Sequence, residues 1–141
     1  MPDRDLLKEA QDSQPNFARL LQIRVISATL DEVVAEMPVT DALSNRNGVL
    51  HGGAIMGVAD NMGGTATILN LPEGMSTTTI ESKTNFLRPV HIGDVVRLVS
   101  VFLHRGRKTM IVQTTILRPD GKVAAITTQT QMVMEWKPNG G

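Results

Sequence analysis

The chain has no cysteine and no tyrosine, and its aromatic residues are limited to three phenylalanines and one tryptophan. Without cysteine it can form no disulfide, no thiolate metal site and no cysteine nucleophile. With so few aromatic rings, a base-stacking platform for RNA or single-stranded DNA is not expected. The core must instead be built from aliphatic side chains and eight methionines.

The chain also lacks an excess of charge of either sign and lacks any long apolar run. Fourteen Lys and Arg balance fourteen Asp and Glu, so the formal net charge is zero. No global field therefore draws the protein to nucleic acid or to an anionic membrane. No apolar run approaches the roughly 20 residues needed to cross a bilayer, and the polar, acidic start does not resemble a secretory leader. We expect a cytoplasmic protein with neither nucleic acid nor membrane as a partner.

The composition, 41% hydrophobic and 20% charged, is that of an ordinary globular chain. We expect a single domain over residues 1–141, with an N-terminal helical segment at 1–21 and a free tail at 137–141. A helical stripe in the first segment is interrupted near Pro15, which predicts one broken helix or two short ones. Alternating apolar residues at 23–37 predict a strand hairpin.

The longest stretch without strand alternation is residues 52–71, whose few polar positions predict a helix buried nearly all round and wrapped by a sheet. Strand-like runs follow at 76–88 and 94–104, and a Pro-Asp-Gly turn joins 109–117 to 122–136. The short turns imply antiparallel pairing. The sequence thus predicts an α+β fold, a long central helix wrapped by an antiparallel sheet.

Residues 45–60 read NRNGVLHGGAIMGVAD, in which His-Gly-Gly opens the long helix and an aspartate stands at its middle. A second motif, NFLRP at 85–89, precedes a glycine-bearing basic turn at 104–108. Together these features resemble the hotdog-fold acyl-CoA thioesterases, in the branch of phenylacetate-pathway and Them2-like enzymes, over about residues 17–136. The resemblance implies a hotdog fold and hydrolysis of acyl-CoA to the free acid and coenzyme A. It implies no cofactor beyond the coenzyme A that the substrate carries.

Two residues of the first motif suit thioester chemistry. Gly52 at the helix N-terminus presents a backbone N–H that can stabilise an oxyanion, since no side chain blocks the approach. Asp60 is a carboxylate in a helix otherwise without charge, which is costly if buried unless it is paired or functional. Asp60 is the candidate nucleophile or general base, and the residues leave that choice open. The structural alternative is a carboxylate bonded to Asn61, Thr65 or a backbone amide.

The spacing of Gly52 and Asp60 constrains how they can act together. Eight residues of helix separate them by about 12 Å, at a rise of about 1.5 Å per residue. An oxyanion donor and an attacking group must each lie within about 3 Å of the atoms they serve. If both act on one carbonyl, they come from different chains, which predicts a homodimer with two equivalent sites. We expect two such dimers to form a homotetramer.

The resemblance implies supporting roles for Asn45 and His51, with a satisfied helix-start histidine as the structural alternative for the latter. It also places Thr79 where the branch has a serine that helps to place the attacking water. The basic run His104, Arg105, Arg107 and Lys108 is expected to bind coenzyme A phosphates, with Arg88 nearby if the strands pair as expected. A solvated hairpin tip is the alternative for this run.

The three histidines have no ligand-like spacing, so no metal is predicted. Two other functions remain open. A non-catalytic acyl-CoA-binding module would keep the basic turn without needing Asp60. A hotdog enoyl-CoA hydratase or dehydratase needs an Asp and a His close together on a short segment, and position 46, five residues before His51, is Arg.

Overall fold

The computed structural model describes residues 3–137, so most of the predicted tail at 137–141 lies outside the described residues. A short 3-10 turn at Asp41–Leu43 interrupts the loop before the long helix. The described helices and strands are, in order, α1 Leu6–Asp12, α2 Asn16–Leu20, β1 Arg24–Ala28, β2 Glu32–Pro38, α3 Gly52–Ile68, β3 Met75–Phe86, β4 Val95–Arg105, β5 Thr109–Leu117 and β6 Val123–Glu135.

The N-terminal segment forms two short helices that divide at Pro15, as predicted. Proline cannot continue the hydrogen bonding of α1, and it serves instead as the residue before α2. The Asp5 side chain caps α1 by accepting a hydrogen bond of 3.0 Å from the Lys8 backbone N–H. Ala10 and Ala18 are fully buried, so both helices pack against the body of the protein.

The six strands form one sheet in the order β1-β2-β4-β5-β6-β3, with every neighbouring pair antiparallel. The predicted hairpins β1–β2 and β5–β6 are confirmed, and Gly121 supplies the positive φ of +81° that the second turn needs. Short turns between successive strands predict antiparallel pairing along the chain, but β3 pairs with β6 rather than with β4. The loop at 87–94 is not a tight turn, so β4 is free to pair with β2. Strands β1 and β3 are therefore the two edges of the sheet.

Helix α3 packs on the inner face of the sheet, against β5, β3, β6 and β4. Its buried side includes Val58, Ala59 and Met62, which are shielded completely. The prediction that this helix is buried nearly all round is wrong. Its other side is an exposed stripe, because within one chain the sheet covers only one side of the helix; the stripe consists of Gly53, Met56, Asp60 and Ile68.

Candidate active site

Asp60 lies on the exposed stripe of α3, and its side chain reaches back to β3 and β6. The Thr79 hydroxyl of β3 donates to Asp60 Oδ1 at 2.6 Å, and Gln129 Nε2 of β6 donates to the same oxygen at 3.2 Å. The structure therefore brings Asp60 together with Thr79, which the sequence singled out, and with Gln129, which it did not.

The surroundings of Asp60 differ from the sequence-based expectation. The residue is exposed in the single chain rather than buried, because it belongs to the uncovered side of α3. Its side chain forms no hydrogen bond to Asn61 or Thr65, the two residues that the structural alternative named. Asn61 donates to Gln14 Oε1 at 2.9 Å, and Thr65 donates to the Asn61 carbonyl oxygen at 2.8 Å.

A second layer of polar groups lies behind Thr79. Gln131 Nε2 donates to Thr79 Oγ1 at 2.7 Å, and the Thr77 hydroxyl donates to Gln131 Oε1 at 2.9 Å. The side chains of Gln129 and Gln131 are both 1% exposed. The spacing of these glutamines was the one signal by which the sequence could have identified them. Residues at i and i+2 share one face of a strand, and on β6 that face is the buried one.

Asp60 opens onto a cleft of about 300 Å³ between the N-terminal helices, α3 and β3. Its walls include the chain between α1 and α2 on one side and the threonines at the start of β3 on the other. The residues that line the cleft include Ser13, Pro15, Asp60, Gly64, Ile68 and Thr79.

Gly52 opens onto a different cleft, of about 320 Å³, which Asn45, Phe86 and Arg88 also line. Among residues 3–137, no acceptor bonds to the Gly52 N–H, so this first amide of α3 is available to a ligand. A Cβ at position 52 would stand 3.2 Å from Phe86 Cε1. Glycine therefore leaves the amide open and lets the Phe86 ring lie close beside it.

Asn45 has one end of its amide engaged in its own loop. Its Oδ1 accepts hydrogen bonds from the backbone N–H of Asn47 at 2.9 Å and of Val49 at 3.2 Å. Within the described part of the chain, its Nδ2 has no acceptor. The Asn45 amide group can therefore donate a hydrogen bond into the Gly52 cleft while its oxygen fixes the loop.

His51 is the N-cap of α3, and its Nδ1 accepts a hydrogen bond of 2.8 Å from the Gly53 backbone N–H. An accepting Nδ1 carries no proton, so in the neutral ring the proton is on Nε2. This geometry favours the structural alternative for His51, a capping side chain that fixes the start of the helix. The neighbouring Gly52 N–H is left unoccupied by the cap.

Neither cleft contains both Gly52 and Asp60. The two residues stand on one continuous helix, about 12 Å apart along its axis. Within one chain the candidate oxyanion donor and the candidate carboxylate thus belong to separate half-sites. One half contains Gly52 and Asn45, and the other contains Asp60 and Thr79.

The expectation that Arg88 lies near the basic turn is wrong within one chain. Strand β3 ends where Phe86 pairs with Ala125, whereas beside the basic turn Thr109 pairs with Met132. Seven residues of β6, about 23 Å of strand, separate these two levels of the sheet. Arg88 instead lines the Gly52 cleft, where its guanidinium donates to the Val123 carbonyl oxygen at 2.7 Å.

Within the basic turn, Arg105 is held by contacts in its own chain. Its guanidinium forms an ion pair with Asp31, donates to the Leu30 carbonyl oxygen at 3.0 Å and to Asn70 Oδ1 at 3.2 Å, and lies 4.8 Å from the centre of the Phe102 ring. These contacts join the β1–β2 turn to the end of α3. The exposed members of the turn include His104, Arg107 and Lys108.

The groups with displaced pKa values lie outside both clefts. The Arg4 side chain lowers the pKa of Glu9 by a hydrogen bond, and the Lys122 backbone N–H is the main cause of the lowered pKa of Asp120.

Within residues 3–137, no three His, Asp or Glu side chains are grouped closely enough to hold a metal ion. No described helix has the length and hydropathy of a membrane span.

Comparison with known proteins gives the family. The model of the thioesterase superfamily matches residues 47–125, a span that includes Gly52, Asp60 and Thr79 and ends before Gln129. A Saccharolobus solfataricus protein whose name describes it as an esterase is 34% identical over 107 residues, 76% of this chain and 75% of that protein. Human acyl-coenzyme A thioesterase 13 is 28% identical over 105 residues, 74% of each chain.

Solved structures agree on the fold. A crystallised variant of a Pseudomonas aeruginosa thioesterase is 29% identical and has a TM-score of 0.85, covering 96% of both chains. A Streptococcus mutans protein bound to acetyl CoA is 26% identical with a TM-score of 0.76, covering 82% of this chain and 90% of that one. The predicted α+β hotdog fold is confirmed.

The cap at His51 gives a testable prediction. His51→Ala removes the acceptor of the Gly53 N–H and is expected to lower the free energy of unfolding by about 1 kcal/mol. His51→Asn keeps a side-chain acceptor at the N-cap and is expected to restore most of that loss. Urea unfolding at one fixed protein concentration measures both. An alanine variant as stable as the parent protein would contradict the capping role.

Proposed function

Because the chain belongs to the thioesterase superfamily, we propose that it hydrolyses acyl-coenzyme A to the free acid and coenzyme A. The observation that carries the proposal is the pair of half-sites, an open amide at a helix N-terminus and an anchored carboxylate on the same helix. The names of two similar proteins support it, since one is an acyl-coenzyme A thioesterase and another was crystallised with acetyl CoA.

We propose further that two chains complete the site, Gly52 of one facing Asp60 of the other. The exposed stripe of α3 supports this arrangement, because it contains Asp60. Gly53 in the stripe and Gly64 one turn after Asp60 have no side chain to keep a second helix away. Two such helices running antiparallel across a twofold axis would bring each Gly52 to the partner's Asp60. The resulting homodimer has two equivalent sites, and a pair of such dimers gives the proposed homotetramer.

In the assembled site, the Gly52 N–H would donate to the thioester oxygen as negative charge develops on it. The Asn45 amide nitrogen, in the same cleft, is the second donor. Asp60 either takes a proton from water, whose oxygen then bonds to the carbonyl carbon, or attacks that carbon itself to form an anhydride that water cleaves. In both routes the C–S bond breaks, the thiolate leaves and takes up a proton, and the acid is released.

We assign the coenzyme A phosphates to Arg107 and Lys108. Both side chains are exposed, and neither forms an ion pair with any described residue. Their neighbours His104 and Arg105 fix the turn, the first by packing on Gly106 and the second through Asp31. Arg88 would contact the substrate at the Gly52 cleft.

Asp60→Asn tests the carboxylate. Turnover is expected to fall by roughly 10²- to 10⁴-fold, because an amide can act neither as base nor as nucleophile here, while fold and oligomeric state persist. Hydrolysis of aromatic, short-chain and long-chain acyl-CoAs measures it, and Asp120→Asn in the β5–β6 turn is the matched control. Near-normal turnover of Asp60→Asn would discard the assignment. Binding of acyl-CoA without hydrolysis by the parent protein would favour the non-catalytic module.

Gly52→Pro tests the shared site. Proline suits the first helical position, and the φ of −65° and ψ of 135° at His51 suit a residue before proline, so the substitution removes the N–H and keeps the backbone conformation. Its ring also places a Cβ beside Phe86. The variant is expected to be inactive, as is Asp60→Asn. A purified heterodimer of the two should regain about half of the sites, because one site has both native groups.

Gly52→Ala is the control for the proline variant, since it adds a Cβ beside Phe86 but keeps the N–H. If the Gly52 N–H donates to the oxyanion, Gly52→Ala should retain more activity than Gly52→Pro. A verified heterodimer with no activity above that of its parents would contradict a site shared between chains.

Neutralising the basic turn tests the phosphate assignment. Arg107→Ala with Lys108→Ala is expected to raise KM for acyl-CoA by roughly tenfold, as two exposed ion pairs of up to about 1 kcal/mol each allow. The same change should leave KM for a pantetheine thioester, which lacks the nucleotide phosphates, nearly unaltered. Lys122→Ala removes a cation at the other hairpin turn as a control. Equal effects on both substrates would remove the assignment.

A further inference from the structure

We infer that Gln131 and Gln129 are positioning residues, which hold Asp60 Oδ1 in place and leave Oδ2 as the oxygen that reacts. Gln131 acts through the Thr79 hydroxyl, and Gln129 acts directly on the carboxylate. The inference rests on the proposed function and names residues that lie beyond the span matched by the family model.

The direction of the hydrogen bonds follows from the carboxylate. An ionised carboxylate only accepts, so the Thr79 hydroxyl, 2.6 Å from Asp60 Oδ1, donates its single proton there. The lone pairs of that hydroxyl then need a donor, which Gln131 Nε2 supplies at 2.7 Å. This fixes the Gln131 amide with its oxygen toward Thr77, whose hydroxyl donates to it at 2.9 Å. Every bond from Thr77 to Asp60 thus donates in one direction.

This direction gives Thr79 a task different from placing the attacking water. Its one proton is committed to Asp60, so it cannot also donate to water. A hydrogen bond from one donor also polarises the next in such a chain, which strengthens the grip on the carboxylate. Thr79 therefore orients Asp60, and Gln131 keeps the hydroxyl proton aimed at it.

The two oxygens of Asp60 are consequently not equivalent. Oδ1 accepts from Thr79 and from Gln129, whereas Oδ2 has no hydrogen bond to any of residues 3–137. Two donors on one oxygen fix the rotation of the carboxyl group and direct the other oxygen away from the sheet. Oδ2 is the atom that meets water or the thioester carbon.

Gln129 is held in this position at a cost in stability. Its Oε1 is buried and has no partner among the described residues, so its desolvation is not offset by a hydrogen bond. The amide lies directly against Gly63 of α3, where an added Cβ would stand 2.3 Å from Gln129 Cδ. A glycine at 63 is therefore what allows the amide to reach Asp60, and an apolar residue at 129 would avoid the unpaired oxygen.

The test compares Gln131→Met, which keeps length and burial but cannot donate, with Thr79→Val, which keeps shape but has no hydroxyl. Each is expected to lower kcat for an acyl-CoA roughly 10- to 100-fold with KM within about twofold, because only the reacting oxygen is misplaced. Gln129→Met should do the same. Thr79→Ser restores the hydroxyl and should restore kcat. Gln113→Met, on the outer face of β5, is the matched control and should retain kcat.

The decisive measurement is the double variant. If Gln131 acts through Thr79, adding Gln131→Met to Thr79→Val should lower kcat by less than about threefold more, and urea unfolding should show the same coupling. If the parent protein is active, two results would overturn the inference and leave the thioesterase proposal intact. One is additive losses of kcat in the double variant, and the other is a kcat of the parental value in the glutamine variants. A parent protein that hydrolyses no thioester would overturn both. Loss of stability with unchanged kcat would reduce the glutamines to structural residues.

Discussion

The rigidity of one helix governs the arrangement of the whole site. A continuous α-helix has a fixed rise, so the amide at its first residue and the carboxylate two turns later cannot approach each other. Gly52 is placed by the N-cap at His51, and Asp60 is placed by β3 and β6, so both ends of this spacing are anchored independently. The consequence is two separate half-sites per chain, and the proposed thioester hydrolysis would use one group from each.

The second organising feature is the polar inner face of the sheet. Ser100 bonds to Thr114 at 2.7 Å and Thr84 to Thr127 at 2.7 Å, so buried hydroxyls pair across strands instead of remaining unsatisfied. On the same buried face of β6, Gln129 and Gln131 follow Thr127 and lie closer to Asp60. A core that is partly polar specifies fewer alternative packings than an aliphatic one, because each donor must meet its acceptor. At the exposed end of this polar face, Thr79 and Gln129 hold the carboxylate of Asp60.

Much of the fold was accessible from the sequence because its signals are local. Pro15 divides the first helices, and the Pro-Asp-Gly turn defines the last hairpin, each by its own backbone chemistry. The neighbour of β3 was not accessible, because pairing across a loop depends on the whole sheet. Of the site, Gly52 and Asp60 were identified from a local motif and its spacing, whereas Thr79 was implied by the family resemblance. Gln129 was missed because a polar residue in a strand reads as solvent-facing until its partner on α3 is known.

Strand β3 occupies an edge of the sheet for its full length, Met75–Phe86, with one row of backbone amides and carbonyls unpaired within the described chain. Such a long bare margin is a template on which another polypeptide can add a strand, including a misfolded copy. Glu81 and Lys83 project from this margin, and charged side chains there oppose indiscriminate stacking into fibrils. The two charges therefore disfavour strand addition by a misfolded copy for as long as this margin of β3 is bare.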